Sequence, residues 1–274
     1  MTTTPIADAD DPRVAEYLGL TDAELRRGVE GTGGAYGEGL FIVEGTLAIG
    51  ELLASGWSVR SVLVTEKKLP ELDQKALLDT GASVFVAPKS VLNQVVGFNL
   101  HRGAVACADR PIPVAMADVL HGAVNLVMLE GINDQENLGV IFRNAAALGA
   151  DGVLLSPTCC DPLYRRTVRV SMGHVVNVPF TTSPPWPDAI EAVREAGFEA
   201  VALTPDDEAE NIDSYRGVGE RVAVLLGSEG PGLTSAAMTA ADRRVRIPMS
   251  GTVDSLNVAA AAAIGFHQLF RKPT

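Results

Sequence analysis

The sequence has little of what marks several protein classes. Three cysteines in 274 residues, two of them adjacent at Cys159 and Cys160, cannot build a disulfide framework, and a reducing cytoplasm is the expected setting. The adjacent pair has no second cysteine pair at zinc-ligand spacing, and His174 alone does not complete a site, so no metal is expected. No run reaches the roughly 18 apolar residues of a membrane span, and the longest small-apolar stretch, Val258 to Gly265, reads as a buried helix. The start, MTTTPIADADDPRVAEY, lacks the basic opening and apolar core of a signal peptide. Positive charge is also scarce: 22 Lys and Arg stand against 34 Asp and Glu, a net charge of −12. That balance counts against nucleic acid as a partner, because phosphates are usually met by Lys and Arg.

The placement of charge softens this objection. Acidic residues crowd the first thirty positions and the run from Asp206 to Asp213. Basic residues cluster elsewhere, at Arg26 and Arg27, Lys67 and Lys68, Arg165, Arg166 and Arg169, and Arg243, Arg244 and Arg246. Such clusters suit either a solvated face or a local cationic groove, which total charge does not exclude. At 47% hydrophobic and 20% charged, the chain has enough apolar material for substantial cores.

Residues 1–24 read as a flexible acidic leader, with Thr21 and Glu24 at capping-box spacing ahead of a short helix. The glycine-rich stretch Gly31 to Gly39 fails as a dinucleotide fingerprint, since Tyr36 replaces the third glycine and no strand precedes it; a loop is expected. From 25 to 110, a short apolar segment at 40–45 runs into a helical pattern, and strand patterns at 58–66, 83–88 and 101–110 alternate with further helical ones, predicting a small α/β domain. The proline-bearing segment 111–122 is the expected linker. From 123 to 274, strands at 125–132, 152–157, 175–180, 198–204, 221–227 and 243–249 alternate with helices at 138–148, 162–172, 188–197, 234–240 and 255–270. That pattern implies a mostly parallel sheet covered on both faces.

Three segments follow apolar strands where open α/β sheets bind ligands. In NDQENLGVIFRNAAALGADGV, Asn137 and Gly139 open a helix and Arg143 follows on it. Spacing alone also allows Asn137 as an N-cap and Arg143 as a surface residue. In LLGSEGPGLTSAA, Gly227, Gly230 and Gly232 flank Glu229 and permit tight turns and close approach to a flat ligand. In IPMSGTVDSLNVAAAAA, Ser255 and Asn257 stand before an alanine-rich helix, with Ser255 a plausible cap.

In this order, NLGVIFRNAAALG, LLGSEGPGL and IPMSGTVDSLNVAAAAAI resemble the three signature motifs of the SpoU/TrmH methyltransferases of the SPOUT class. FIVEG and HRGAVA are more loosely similar to the small L30e-like substrate-binding domain that precedes the catalytic domain in many members. The resemblance implies an α/β protein with a trefoil-knotted, parallel-sheet methyltransferase domain at 123–274. It implies S-adenosyl-L-methionine as cofactor, held by Leu225, Gly227, Gly232, Ile247, Met249, Leu256 and Asn257. It implies Arg143, Asn137, Glu229, Ser255 and Asn257 as catalytic-site positions, a homodimer formed through the catalytic domain, and RNA as substrate, ribosomal rather than transfer RNA by analogy of layout. The RNA-contact candidates are Arg102, Arg165, Arg166 and Arg169. A binding module that had lost catalysis would have broken the motif polar positions, which are intact. A nicotinamide-dependent oxidoreductase would need the glycine fingerprint that is missing.

Overall fold

The computed structural model of the protein describes residues 2–20, 39–217, 219–251 and 253–271. The expected helix after Thr21 and nearly all of the glycine-rich loop lie outside the described residues. The chain divides into two units, Met1–Ile112 with Leu163–Asn177, and Pro113–Pro162 with Val178–Thr274.

The first unit carries a five-stranded sheet of β1 (Thr3–Pro5), β2 (Leu40–Glu44), β3 (Val59–Val64), β4 (Ser83–Val86) and β5 (Ala104–Asp109), in the order β1-β4-β3-β5-β2. The β1–β4 and β4–β3 pairs are parallel; β5 runs antiparallel to β3 and β2. Helices α1 (Thr46–Ala54), α2 (Gln74–Thr80) and α3 (Lys89–Val96) connect the strands. Asp73 caps α2 by accepting from the backbone N–H groups of Lys75 and Ala76, and Gly81 ends it in the left-handed conformation.

The flexible leader is corrected by this sheet. Thr3–Pro5 pairs with β4, and Ile6, Val14, Tyr17 and Leu20 are buried in the core of the unit. The Tyr17 hydroxyl meets that of Ser61 at 2.7 Å. Acidic composition misled because Asp8 and Asp10 sit outward while apolar anchors at wider spacing point in.

The second unit is built on seven parallel strands, β6 (Asn125–Glu130), β7 (Gly152–Leu155), β8 (Phe180–Thr182), β9 (Glu199–Leu203), β10 (Glu210–Asn211), β11 (Val222–Gly227) and β12 (Arg243–Arg246). Their order is β10-β12-β9-β11-β6-β7-β8. The central strands NLVMLE and VAVLLG are buried nearly end to end, as strands covered on both faces must be. The unit's helices are α4 (Met116–Leu120), α5 (Gln135–Leu148), α7 (Asp188–Glu195), α8 (Ser235–Ala240) and α9 (Val258–Leu269), while α6 (Arg165–Val170) between them belongs with the first unit.

Two further expectations change. The 111–122 linker is not a tether throughout: α4 lies within it, and Val119 is 3% exposed in a cluster with Leu126, Met128 and Leu154. The 123–274 domain is interrupted, because Leu163–Asn177 folds with the first unit. There α6 lies on β2, and Gly173, at φ 88°, comes so close to α1 that a Cβ would sit 2.8 Å from the Ala48 backbone. The strand expected at 175–180 is accordingly a 3-10 turn, His174–Asn177, with Val175 and Val176 buried, and β8 starts only at Phe180.

The alanine run of α9 lies against α5, where the Asn144 amide donates to the Ala259 carbonyl at 2.9 Å. The far end of α9 is tied to the sheet through Asn125, whose side chain exchanges two hydrogen bonds with the Arg271 backbone, at 2.7 and 3.0 Å. The two contacts together hold α9 at both ends and so set the position of the loop before it.

Candidate active site

Parallel strands leave their ligand sites at carboxyl ends. Here the loops after β9, β11 and β12 and the start of α9 enclose a cavity of about 340 Å3. Gly227, Gly232, Ile247, Met249, Leu256 and Asn257 line it, as do Glu229 and Ser255. Leu225 does not: it is fully buried one pleat back on β11, and Leu226 takes its place at the wall. Leu203, Thr204 and Pro205 complete the lining from the end of β9. Sequence reasoning missed them, although the apolar strand ending in Thr204–Pro205 is the same kind of strand-end signal as the other three.

The polar centre of the site is Asn257. Its side-chain oxygen accepts from the backbone N–H groups of Ala259 and Ala260, making it the N-cap of α9, a role Ser255 does not take. Its amide donates to Asn137 Oδ1 and to Glu229 Oε1, each at 2.9 Å. One residue therefore ties together all three motif segments. Asn137 is 9% exposed on the first turn of α5, whose N-cap is Asp134, accepting from the Asn137 N–H at 2.8 Å. Gly227 has a steric duty: a Cβ there would run into the backbone of Gly232 and Leu233, so the loop folds back on itself only over glycine. Ser255 is exposed at the cavity wall.

Arg143 stands apart. It is exposed on α5, in a row with Glu136, Val140 and Ala147, about 120° around the helix from Asn137, and it does not line the cavity. Among the described residues, no hydrogen bond joins it to Glu229.

All four arginines read as RNA contacts lie in the first unit. Arg165 is corrected: its Nη1 donates to Glu44 at 2.9 Å, the two side chains are 12% and 7% exposed, and its guanidinium lies 4.6 Å over the Phe98 ring. It is a buried ion pair fastening α6 to β2, unavailable to a phosphate. Arg166 is exposed and Arg169 half-buried on the same helix. Arg102 is exposed and crosses Gly45 so closely that a Cβ there would meet its Cδ at 2.6 Å. Cys159 is half-buried and donates its thiol hydrogen to the Leu129 carbonyl; burial pushes the Cys160 thiol up to about 12. Among the described residues, no group of three or more His, Cys, Asp or Glu is placed to hold a metal, and no helix is long and apolar enough to cross a membrane.

Comparison with known proteins agrees with this layout. Residues 125–267 match the SpoU rRNA Methylase family. An uncharacterized tRNA/rRNA methyltransferase of Mycobacterium tuberculosis is 42% identical over 268 residues, covering 97% of this chain and 91% of that protein. Among solved structures, an AdoMet-bound rRNA methyltransferase of Sinorhizobium meliloti shares the fold, with a TM-score of 0.79 at 24% identity over 97% of both chains. An RNA 2′-O ribose methyltransferase gives 0.71 at 25% identity over 97% of both chains. The SpoU methyltransferase AviRb of Streptomyces viridochromogenes, in complex with AdoMet, gives 0.69 at 26% identity over 93% of this chain and 94% of that one. The chain belongs to the SpoU family of RNA methyltransferases.

Proposed function

We propose that the protein transfers the methyl group of S-adenosylmethionine to a ribose 2′-hydroxyl of structured RNA, with ribosomal RNA preferred over transfer RNA. The observation that carries this reading is the Asn137–Asn257–Glu229 cluster, set at the rim of a cavity walled by three strand-end loops. The likeness to AdoMet-bound AviRb and to an RNA 2′-O ribose methyltransferase supports the cofactor and the acceptor.

The cavity suits the cofactor. Its volume of about 340 Å3 falls in the ~300–1,000 Å3 range of small-molecule sites, and Leu203, Leu226, Ile247, Met249 and Leu256 give it apolar walls for a flat heterocycle. Backbone groups near Gly227, Ile247–Met249 and Ser255–Asn257 would hold the polar edges. When bound, S-adenosylmethionine supplies a methyl group whose departure leaves a neutral thioether.

The chain must then align and deprotonate a weakly acidic hydroxyl. The Arg143 guanidinium serves as a cation, gripping the phosphate beside the target ribose and stabilising the developing alkoxide. A phosphate oxygen or water takes the proton. Asn137 and Asn257 orient donor and ribose, Ser255 holds the hydroxyl, and Glu229 fixes Asn257 rather than Arg143.

A homodimer through this unit accounts for the exposed apolar residues Val253, Leu256 and Ile264 at the start and along α9, and gives Arg143 a groove to face. The first unit, read as L30e-like, would meet RNA through Arg102, Arg166 and Arg169. The chain path of this unit, in which β11 is inserted between β9 and β6, is read as trefoil-knotted, as the resemblance to the SpoU/TrmH methyltransferases implies. A cytoplasmic location goes with this reading, as the compartment of the RNA it would act on. Mapping 2′-O-methyl positions on total RNA from cells with and without the gene tests the proposal: a discrete ribosomal position should lose its methyl group. An unchanged 2′-O-methyl map would remove its basis.

A further inference from the structure

The cavity adjoins a larger cleft of about 1020 Å3 across the loop after β11. The two share Ser228, Glu229, Gly232 and Val258 as common walls, and Asn137 lines the cleft side of the boundary. The rest of the cleft differs in chemistry. Pro157, Pro185, Trp186 and Pro231 give it flat apolar surface. Trp186 is half-buried against the core cluster that holds Ala189 and Ile190, and its indole N–H is buried with no hydrogen-bond partner. Apolar packing therefore holds the ring, and ring surface is what it offers a ligand.

Charge decides what the ligand is not. Glu130, Asp134 and Glu229 line the cleft, and among the described residues no Lys, Arg or His does. A phosphate would meet only like charge there. Both Glu130 oxygens are engaged by Thr234, through its N–H at 2.8 Å and its hydroxyl at 2.9 Å. Asp134 Oδ1 holds the Asn137 N–H and Glu229 Oε1 holds the Asn257 amide, which leaves one carboxylate oxygen on each to accept further donors. Flat apolar faces, spare acceptors and no cation suit an uncharged ring that carries N–H donors.

We propose that this cleft seats an unpaired nucleobase bearing an exocyclic amino group, stacked on Trp186, with its ribose presented to the Asn137–Asn257–Glu229 cluster. This rests on the methyl-transfer reading above and names the part of the RNA that the site recognises. Sequence-specific RNA readers commonly stack splayed-out bases on aromatic rings, and carboxylates accept from the cytosine amino group. Base and ribose of one nucleotide adjoin, as the two cavities do.

The chain holds two tryptophans, so Trp57→Phe leaves Trp186 as the only indole emitter. That variant, saturated with S-adenosylhomocysteine, is titrated with cytidine, uridine and ribose. Cytidine should quench the emission saturably, uridine should bind several-fold more weakly, and ribose should leave the emission unchanged. In the otherwise unaltered protein, Trp186→Ala should weaken binding of a single-stranded cytidine decamer on the order of ten-fold, and Trp186→Phe should keep most of it. Absence of saturable quenching by cytidine, or equal quenching by uridine or ribose, would overturn the proposal. Calorimetry with S-adenosylhomocysteine alone reports separately on the methyl-transfer reading. Cytidine quenching without S-adenosylhomocysteine binding would support the cleft while sinking that reading.

Discussion

Replacing Asn257 separates the two duties the structure gives it. Asn257→Ala removes the N-cap of α9, a loss of about 1 kcal/mol. It also strips the donor from Asn137 Oδ1, a group only 9% exposed, and an unpaired buried acceptor costs roughly 1–3 kcal/mol. The bond to Glu229 is exposed and adds at most about 1 kcal/mol. The sum is about 2–5 kcal/mol, read as a lowered urea midpoint at unchanged slope. Asn257→Asp is the informative partner. It keeps the capping oxygen, at a helix N-terminus that favours negative charge, but loses the amide and sets a carboxylate against Glu229. It should recover about 1 kcal/mol of the stability yet bind S-adenosylhomocysteine as poorly as the alanine variant. If Asn257→Asp binds with full affinity in calorimetry, the amide bridge does not organise the pocket and the reasoning fails.

The remaining predictions concern other parts of the molecule. Arg165→Ala leaves Glu44 as an unpaired buried charge and should cost about 3–5 kcal/mol in urea unfolding, whereas Arg166→Ala should change stability by no more than ~0.5 kcal/mol; equal losses would refute the ion-pair assignment. Gly227→Ala should abolish S-adenosylhomocysteine binding and also lower the unfolding midpoint, because its Cβ meets backbone rather than ligand space; an unchanged midpoint would contradict this. Burial, and then the hydrogen bond to Glu199, push the Tyr215 phenol up to about 12, above its unfolded value of roughly 10. Its contribution is therefore complete below pH ~10 and is lost as pH rises toward 12. Tyr215→Phe should flatten that alkaline slope in unfolding experiments, and an unaltered slope would assign it to other groups.

How much of this was legible in the sequence depends on the kind of signal. The strands of the second unit were legible because parallel strands buried on both faces read as unbroken apolar runs, as in NLVMLE and VAVLLG. The polar site positions were legible as motif residues, but their wiring was not. That Asn257, and not Ser255, caps α9 while bridging Asn137 and Glu229 depends on where three loops meet in space. The start of the chain was misread because charge dominates its composition, while four spaced apolar side chains, Ile6, Val14, Tyr17 and Leu20, decide its fate. The return of Leu163–Asn177 to the first unit was invisible for a related reason. Arg165 carries the same charge in a salt bridge as on a surface, and only its partner Glu44, 121 positions away, tells them apart.

The central claim is methyl transfer to ribose, and the product tests it most directly. Purified protein is incubated with ribosomal RNA lacking its modifications and with S-adenosylmethionine labelled in the methyl group, and the RNA is digested to nucleosides. The label should appear in a 2′-O-methylnucleoside, and Arg143→Ala should reduce it on the order of 10²–10³-fold in rate while S-adenosylhomocysteine affinity holds. Label confined to methylated bases, or an Arg143→Ala variant within a few-fold of the parent, would contradict the account.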